Sequence, residues 1–495
     1  MRASLRAGLA LALVLTVSGA RPAGAQVQVV DDFQAGLFQT GMEISHTLNR
    51  GYVASRFVGQ VTVVDLETNE ALRTLNARGG TIISLSPDEE LLVATAQNRE
   101  HFVYRTSDNS LAATVQAGTF SDFGAGLGWS ADGAFLYILR VPTSPTVPST
   151  LHEISTETFL ETRVLEIPDV PIFGPPFFLA VSPGAPYAIV PQTFQDPDAV
   201  AIIDLEQMEI LASLNTGAGP ADVAFSENGR RAYLSGRGPN RVSVIDLPQA
   251  IEIDRFDTDA SAGALSFDAA TSRLAVRCTD LIQVLDVETG DSIVSIPIPD
   301  VVEVALVPYT GFAVATVYET DTLHVADVDP TSVTFGTVVQ VLTLPGCVGT
   351  CDPLDVVLHP NGQRAYVLSD NLLRVDVLDL PSPPLTIELI PEGFSFPAGG
   401  RVRFEAILTN HTNAPIDLTG WIDVFKPNGN PFGANPVLGP RTRTLGPGQS
   451  ISKSASHPIG AGVPPSGPYR TVGLVGSFPD GAVSTSGFRY FVTDP

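Results

Sequence analysis

Three acidic residues, Asp222, Glu303 and Asp355, occupy equivalent positions when a repeated segment of the chain is aligned on its turns. Carboxylates that converge on one point can bind a divalent cation, because hard cations prefer oxygen ligands. A cation held in this way would suit a metal-dependent hydrolase that acts on a lactone or an ester. The alternative is that the three side chains are solvated carboxylates at a water-filled channel, since most acidic side chains stay exposed.

Histidine and cysteine residues offer little other chemistry. The histidines show neither the i, i+4 spacing of a zinc hydrolase nor a haem-attachment motif. Cys347 and Cys351 lie close together, and in an oxidising compartment we expect them to form a small loop disulfide. Cys278 follows an apolar run and is expected to be a buried, small hydrophobic residue. Apart from the divalent cation, the sequence predicts no cofactor.

The elements that must position the carboxylates belong to an internal repeat, whose clearest copy spans residues 219–247. This copy combines a turn of Ser, Asn and Gly with short apolar strands, one of which ends in Asp, and these parts recur in other copies. The central apolar strand recurs at intervals of 38 to 53 residues, at Tyr52, Leu92, Leu136, Ala188, Tyr233, Ala275, Ala313 and Tyr366. Repeats of this length, without apolar spacing at 3.6 residues, are typical of four-stranded propeller blades.

We therefore predict an all-β chain with a β-propeller of eight blades; seven blades with one degenerate copy is the alternative. The eighth copy stops at Leu380 without a fourth strand, and a strand-like run at 27–30 precedes the first copy. We expect this run to complete the last blade, because that pairing joins the two ends of the ring and protects a strand edge. In such a ring the three carboxylates lie on innermost strands, around one mouth of the central channel.

In residues 219–247 and 352–380 the repeat resembles those of YVTN-type surface-layer propellers and YncE-like proteins, within the wider class of WD40-like folds. The resemblance covers about residues 27–380, and it is faint in the first three copies, where the turns depart from the pattern. It implies a propeller fold and a role in surface binding. The motif itself carries no catalytic residue, so it implies no reaction.

A second domain is predicted after the Pro-rich linker 381–385, where the periodicity changes. Short alternating strands are expected at 386–389, 402–408, 421–425, 469–475 and 488–492. This pattern predicts a small β-sandwich over 386–495, after a propeller over 26–380. The segment resembles the Ig-like accessory modules at the ends of exported bacterial proteins.

Residues 1–25 have the features of a secretory signal peptide. Arg2 and Arg6 give a basic start, 7–17 is an apolar run too short to span a bilayer, and Ala23 and Ala25 form a small-residue cleavage pattern. We expect a secreted chain, periplasmic or on the cell surface, that is not inserted in a membrane. The formal net charge of −25 also argues against nucleic acid and anionic lipid as partners, because both would be repelled.

The sequence leaves two classes of function open. The leading expectation is a non-enzymatic exported binding or scaffold protein of the bacterial envelope, which presents propeller loops to a protein or glycan partner. The rival is a metal-dependent lactonase-like or esterase-like hydrolase that uses the channel carboxylates. The oligomeric state is left open by the sequence.

Overall fold

A computed structural model provides the structure of this chain. It describes residues 26–36, 39–55, 59–78, 82–95, 99–118, 122–142, 147–168, 179–192, 199–217, 219–236, 238, 240–269, 271–308, 310–347, 351–381, 383–464, 466–478 and 481–494. These residues form strands, turns and irregular connections, and none of them belongs to a helix that could cross a membrane. The predicted signal peptide, 1–25, lies outside the described residues.

The first strand of the described residues is β1 (Gln28–Gln34), and seven consecutive four-stranded antiparallel sheets, blades 1 to 7, follow it. Blades 1 to 3 are β2 (Gln39–Ser45), β3 (Arg50–Ser55), β4 (Gln60–Asp65) and β5 (Glu70–Asn76); β6 (Ile83–Leu85), β7 (Leu91–Thr95), β8 (Glu100–Arg105) and β9 (Leu111–Gln116); and β10 (Asp122–Trp129), β11 (Phe135–Pro142), β12 (Ser149–Ser155) and β13 (Glu161–Ile167). Blades 4 and 5 are β14 (Ala180–Val181), β15 (Tyr187–Gln192), β16 (Ala199–Asp204) and β17 (Glu209–Asn215); and β18 (Pro220–Phe225), β19 (Arg231–Gly236), β20 (Arg241–Asp246) and β21 (Ile251–Asp257). Blades 6 and 7 are β22 (Ala262–Asp268), β23 (Arg273–Cys278), β24 (Leu281–Asp286) and β25 (Ser292–Pro297); and β26 (Val301–Val307), β27 (Phe312–Val317), β28 (Thr322–Asp327) and β29 (Thr337–Thr343).

Blade 8 joins the two ends of the ring. It contains β30 (Pro353–Leu358), β31 (Arg364–Ser369) and β32 (Arg374–Asp379), and β1 is its fourth strand, antiparallel to β32. Phe33 of β1 lies opposite Val375 and packs with Tyr366 in a shared core. The expected closure by the N-terminal strand is confirmed, and the ring has eight blades rather than seven.

Blade 8 is also joined to its neighbours by hydrogen bonds from amide side chains, one buried and one half-buried. The Gln39 side chain of blade 1 donates to the carbonyl oxygen of Arg374 over 2.8 Å and accepts from the backbone N–H of Ser369 over 3.2 Å. On the other side, Gln340 of blade 7 exchanges two hydrogen bonds with the backbone of Val27. These contacts satisfy backbone groups at both seams of the closing blade, where an unpaired buried group would be costly.

The polar turns of the repeat set the reversal between the first two strands of a blade. In blade 5, Ser226 Oγ accepts from the N–H of Arg231 over 3.0 Å, and Asn228 Oδ1 accepts from the N–H of Arg230 over 3.1 Å. Gly229 follows with a φ of +67°, a left-handed conformation that glycine adopts without a Cβ penalty. Blades 2 and 3 close their turns in the same way, with an Asp in place of the Asn.

The ring has two faces, because successive strands of a blade are antiparallel. The face that carries the connections from first to second strand and from third to fourth strand, such as 226–230 and 247–250, is called the turn face. The opposite face, called the loop face, carries the remaining connections, such as 279–280 and 298–300. First strands of neighbouring blades contact one another, as β22 contacts β18 and β26, and line the central channel.

The C-terminal residues form two sheets that pack face to face. One sheet has the order β33 (Leu385–Pro391), β35 (Arg401–Asn410) and β38 (Ser450–Pro458). The other has the order β34 (Ser395–Pro397), β40 (Gly481–Thr493), β39 (Ser466–Ser477), β36 (Ile416–Phe425) and β37 (Leu438–Leu445). Leu389, Phe404 and Tyr490 lie in the shared core between them. The predicted sandwich is therefore observed, and its first strand begins at Leu385.

The sandwich docks on the turn face of the propeller. His46 in the first turn of blade 1 lies 2.6 Å from a carboxylate oxygen of Glu388 in β33. Glu227 in the first turn of blade 5 pairs with Arg470, and its carbonyl oxygen accepts from Arg489 over 2.7 Å. These turns stand at the ends of first strands, so the sandwich sits against the inner part of the ring.

Candidate functional site

The three predicted carboxylates lie on first strands of blades 5, 7 and 8. Asp222, Glu303 and Asp355 are each the third residue of their strand. Each follows a β-bulge, at which the pairing with the second strand shifts by one residue. A bulge re-aims the side chains that follow it, and here it places three acidic side chains at one level of the channel, in the half nearer the loop face.

Asp222 is held by backbone amides of its own strand and of the next blade. Its Oδ1 accepts from the N–H of Val223 and its Oδ2 from the N–H of Leu265, both over 2.8 Å. The side chain is half-buried. Burial raises the pKa of Asp222 to about 6, although the two backbone hydrogen bonds and the charge of Arg277 oppose the change.

Glu303 and Asp355 experience the same environment. Burial, and next the negative charge of Asp355, raise the pKa of Glu303 to about 8. Glu303 Oε1 accepts from the N–H of Val304 over 3.0 Å, which only partly offsets this increase. Burial also raises the pKa of Asp355. The charges of the three side chains therefore influence one another, which means that they titrate as a group.

Arg277 supplies positive charge beside these carboxylates. It lies on β23, the second strand of blade 6, between the blades that carry Asp222 and Glu303. Its charge lowers the pKa of both carboxyl groups against the dominant effect of burial. Its guanidinium packs over Gly263, where a Cβ would come within 2.4 Å of Arg277 Cζ. A glycine at this inner position thus gives Arg277 room to approach the channel.

A fourth acidic side chain, Glu43, lies on the first strand of blade 1, closer to the turn face. It accepts a hydrogen bond from the backbone of Leu85 in blade 2. Burial nevertheless raises the pKa of Glu43 to about 7. The first strands of four blades therefore contribute carboxyl groups that retain their protons to a higher pH than exposed carboxyl groups do.

The connection that leads into β30 fixes the position of Asp355. Cys347 and Cys351 form a disulfide in this connection. Asp321 Oδ1 accepts from the N–H groups of Cys351 and Asp352 over 2.9 and 3.0 Å. These two hydrogen bonds anchor the start of β30, the strand that carries Asp355. Cys278 is buried and is not part of a disulfide.

Backbone amides hold two of the channel carboxylates. Oδ1 of Asp222 and Oε1 of Glu303 each accept from the next residue of their own strand, and Oδ2 of Asp222 accepts from Leu265 of the next blade. Within the described residues, no group of three or more His, Cys, Asp or Glu side chains is placed to hold a metal ion. The divalent cation expected at Asp222, Glu303 and Asp355 stays a prediction.

What the arrangement can do chemically is bind and release protons near neutral pH. Protonated carboxyl groups donate hydrogen bonds, whereas ionised carboxylates only accept them. The channel therefore changes both its charge and its hydrogen-bonding character between about pH 6 and pH 8, the range of the pKa values of Asp222, Glu43 and Glu303.

Sequence reasoning missed Arg277 and Glu43. Arg277 lies on a second strand, so alignment of the first strands does not reveal it; the available signal is Gly263 at an inner-strand position of its blade. Glu43 lies in the first copy of the repeat, where the turn pattern is faint. It also occupies a different register position from Asp222, since Glu43 lies opposite Tyr52 and Asp222 lies opposite Ser235.

No family model and no curated protein matches this chain. Among solved structures, 1286 chains match it, so the fold is widespread and does not point to one activity. A hydrazine synthase chain of Kuenenia stuttgartiensis is 15% identical, with a TM-score of 0.45, and the match covers 59% of this chain and 96% of that chain. The computationally designed Ika8 protein is 14% identical, with a TM-score of 0.53, over 70% of this chain and 100% of that chain. At these identities the likeness concerns the fold alone, and the chain is a β-propeller-like protein of repeated four-stranded blades.

Proposed function

We propose that this chain is an exported, non-enzymatic binding or scaffold protein of the bacterial envelope. In this proposal the loop face of the propeller is presented to a protein or glycan partner, and the sandwich docks on the turn face and spaces the propeller. The observation that carries the proposal is the difference between the two faces of the ring.

The strand ends on the loop face are separated by unequal lengths of chain. Two residues separate β23 from β24, four separate β21 from β22, and twelve separate β13 from β14. The connections from first to second strand on the turn face are short and nearly uniform, as in 46–49 and 226–230. Variable loops on a rigid scaffold are where binding residues concentrate, because the scaffold holds them without depending on their sequence.

Exposed apolar side chains are available to a partner on the loop face, although they do not distinguish it from the turn face, where Leu160 and Val333 are more exposed. Val147, between β11 and β12, is 51% exposed, and Leu373, between β31 and β32, is 54% exposed. Partner surfaces often contact such side chains, since burying them on association removes apolar area from water. The acidic net charge of the chain favours a neutral or basic partner surface.

Export is the second part of the proposal and rests on residues 1–25. The disulfide between Cys347 and Cys351 is compatible with an oxidising compartment outside the cytoplasm. N-terminal sequencing of the chain from fractionated cells should give a first residue of Gln26 in the envelope or medium. A chain that keeps Met1 and remains in the cytoplasm would contradict export.

Site-specific photocrosslinking tests the binding proposal. A photoreactive phenylalanine derivative replaces Val147 or Leu373 on the loop face, and in a control it replaces Leu160, between β12 and β13 on the turn face. Leu160 is a matched control because it is 67% exposed and belongs to the same blade as Val147. In living cells we expect the same discrete adduct from Val147 and Leu373, and not from Leu160.

Two results would overturn the binding proposal. One is the absence of any adduct at both loop-face positions when the chain is present at its natural level. The other is an adduct of equal yield from Leu160, because the contact would then not depend on the loop face.

A further inference from the structure

A cleft of about 540 Å³ lies between the turn face and the sandwich, and it differs in charge from the rest of the chain. It is called the interdomain cleft here and is defined by the turn 226–231 of blade 5 and by residues 425–429, Arg470 and Arg489 of the sandwich. Its volume is within the range of small-molecule sites. The chain as a whole carries a formal charge of −25.

Basic side chains outnumber acidic ones around the interdomain cleft. Five basic residues line it, namely Arg230, Arg231, Lys426, Arg470 and Arg489. The acidic residues in its lining are Glu227, Asp246 and Glu288. Lys426 is one of only two lysines in the sequence, the other being Lys453. An excess of positive charge in a concave site of an acidic protein concentrates anions there.

Arg470 and Arg489 form the inner wall of the cleft, and their charges are incompletely neutralised. The pKa of Arg470 is lowered to about 10, mainly by burial and secondly by the charge of Arg489. Burial also lowers the pKa of Arg489. Glu227 pairs with Arg470 and offers only its backbone oxygen to Arg489. The Nε atom of Arg470 is shielded from solvent and has no hydrogen-bond partner among the described residues. An incoming oxyanion would relieve this repulsion, because guanidinium groups bind such groups through paired N–H donors.

The remaining lining fits a ligand that carries hydroxyl groups. Asn228 and Asn428 offer amide donors and acceptors, and the three carboxylates can accept from hydroxyl groups. The aromatic ring of Phe425 lies in the same wall, with the Arg470 guanidinium 4.8 Å from its centre. The carboxylates disfavour a ligand with multiple negative charges, such as phosphate, and the aromatic surface suits the apolar face of a ring.

We propose that the interdomain cleft binds an acidic sugar, with its single carboxylate held by Arg470 and Arg489 and its hydroxyl groups held by the polar side chains of the turn 226–231. This site is on the opposite side of the ring from the loop face. It therefore does not depend on the partner proposed above, and failure of one leaves the other intact.

Calorimetric titration of the mature full-length chain at low ionic strength tests the assignment with three probes. Glucuronic acid is the acidic sugar, glucose is the same ring without the carboxylate, and inorganic phosphate is an oxyanion without a ring. We expect saturable binding of glucuronic acid at one site, with at least about tenfold weaker binding of glucose and phosphate.

Variants of exposed basic residues test the location without disturbing the docking of the domains. Lys426→Gln and Arg230→Gln should each weaken glucuronic acid binding by about three- to tenfold, because each removes one positive charge near the ligand. Lys453→Gln, on β38, is the matched control for the lysine, and Arg105→Gln, on β8, is the control for the arginine. Both controls should bind like the unchanged chain, and crosslinking at Val147 should be unaffected in all four variants.

The assignment is overturned by any of three results. Binding of phosphate that equals or exceeds that of glucuronic acid would mean that the ring is not recognised. Equal binding of glucose would mean that the carboxylate is not recognised. Equal losses from Lys426→Gln and Lys453→Gln would place the effect in the overall charge of the chain rather than in the cleft.

Discussion

The central channel and the interdomain cleft are two polar regions of opposite charge that arise in different ways. The channel group consists of Asp222, Glu303 and Asp355, placed at one level by a repeated strand and bulge. The cleft combines arginines of the sandwich with one turn of the propeller, and no repeat relates its two sides. Burial acts on both regions, but it raises the pKa of carboxyl groups in the channel and lowers the pKa of arginines in the cleft. In both cases it favours the neutral form, so each region is electrostatically strained.

The difference lies in how each region can relieve that strain. A channel carboxyl group can take up a proton near neutral pH, because the pKa of Glu303 is about 8. An arginine with a pKa of about 10 remains charged at neutral pH and needs an anion instead. The channel is therefore expected to respond to pH, and the cleft to ionic partners.

The largest effect is expected from neutralising the channel. Asp222→Asn combined with Glu303→Gln should raise the free energy of unfolding at pH 8.5 by roughly 3 kcal/mol and leave it nearly unchanged at pH 4. The folded chain keeps these protons up to pH values of about 6 and 8, whereas the unfolded chain loses them near pH 4. Stability from these groups is therefore present at low pH and is lost as the pH rises through their folded pKa values. Denaturant unfolding at several pH values measures the change.

Glu70→Gln, at an exposed position of blade 1, is the control for that experiment. It should leave the dependence of stability on pH as it is in the unchanged chain. An equal gain at pH 4 and pH 8.5 for the channel double variant would contradict a proton-linked origin.

The next effect concerns the junction at the cleft. Glu227→Gln should weaken the docking of the sandwich by about 2 kcal/mol, because it leaves the half-buried Arg470 without its counter-charge, while the backbone hydrogen bond to Arg489 remains. We expect faster proteolysis of the linker at 381–384 and separate melting of the two domains. Glu209→Gln on blade 4 is the exposed control. Unchanged proteolysis in Glu227→Gln would show that other contacts hold the domains together.

A smaller effect is expected at Arg277. Arg277→Gln removes the positive charge that opposes burial, so the pKa values of Asp222 and Glu303 should rise further. The free energy of unfolding should fall by about 1 kcal/mol at pH 8.5 and change less at pH 5, where these carboxyl groups are mostly protonated. Arg105→Gln on blade 2 serves as the control. A loss that is the same at both pH values would indicate lost packing rather than lost charge.

The smallest effect is expected at the contact between His46 and Glu388. The hydrogen bond with His46 lowers the pKa of Glu388 against the effect of burial. The ionised Glu388 side chain contributes to domain docking above the ordinary pKa of a glutamate. This contribution is lost as the pH falls through the lowered pKa that Glu388 has in the folded chain. Glu388→Gln should therefore weaken domain docking by about 0.5 kcal/mol at pH 7 and by less at pH 3. Proteolysis of the joint at the two pH values checks this, and a larger loss at pH 3 would contradict it.

Much of the ring could be predicted because blade formation is local. The turn around Ser226, Asn228 and Gly229 needs only side chains within five residues, and its recurrence reveals the number of copies. The closure by β1 could also be predicted, since blade 8 lacks a fourth strand and residues 27–30 lack a partner in sequence. The equivalence of Asp222, Glu303 and Asp355 follows from the same alignment.

The all-β class, the position of the second domain and the equivalence of the three carboxylates follow from the sequence alone, because a repeat carries its own register. The choice of eight blades over seven needed the pairing of β1 with β32. The tertiary structure decided what those carboxylates can do. Their neighbours, Arg277 and the amides of adjacent strands, come from other blades and set the pKa values and the hydrogen bonds. It also decided that a cleft rich in arginine exists in an acidic chain, because Glu227 and Arg470 are far apart in sequence and meet only when the sandwich docks on the turn face.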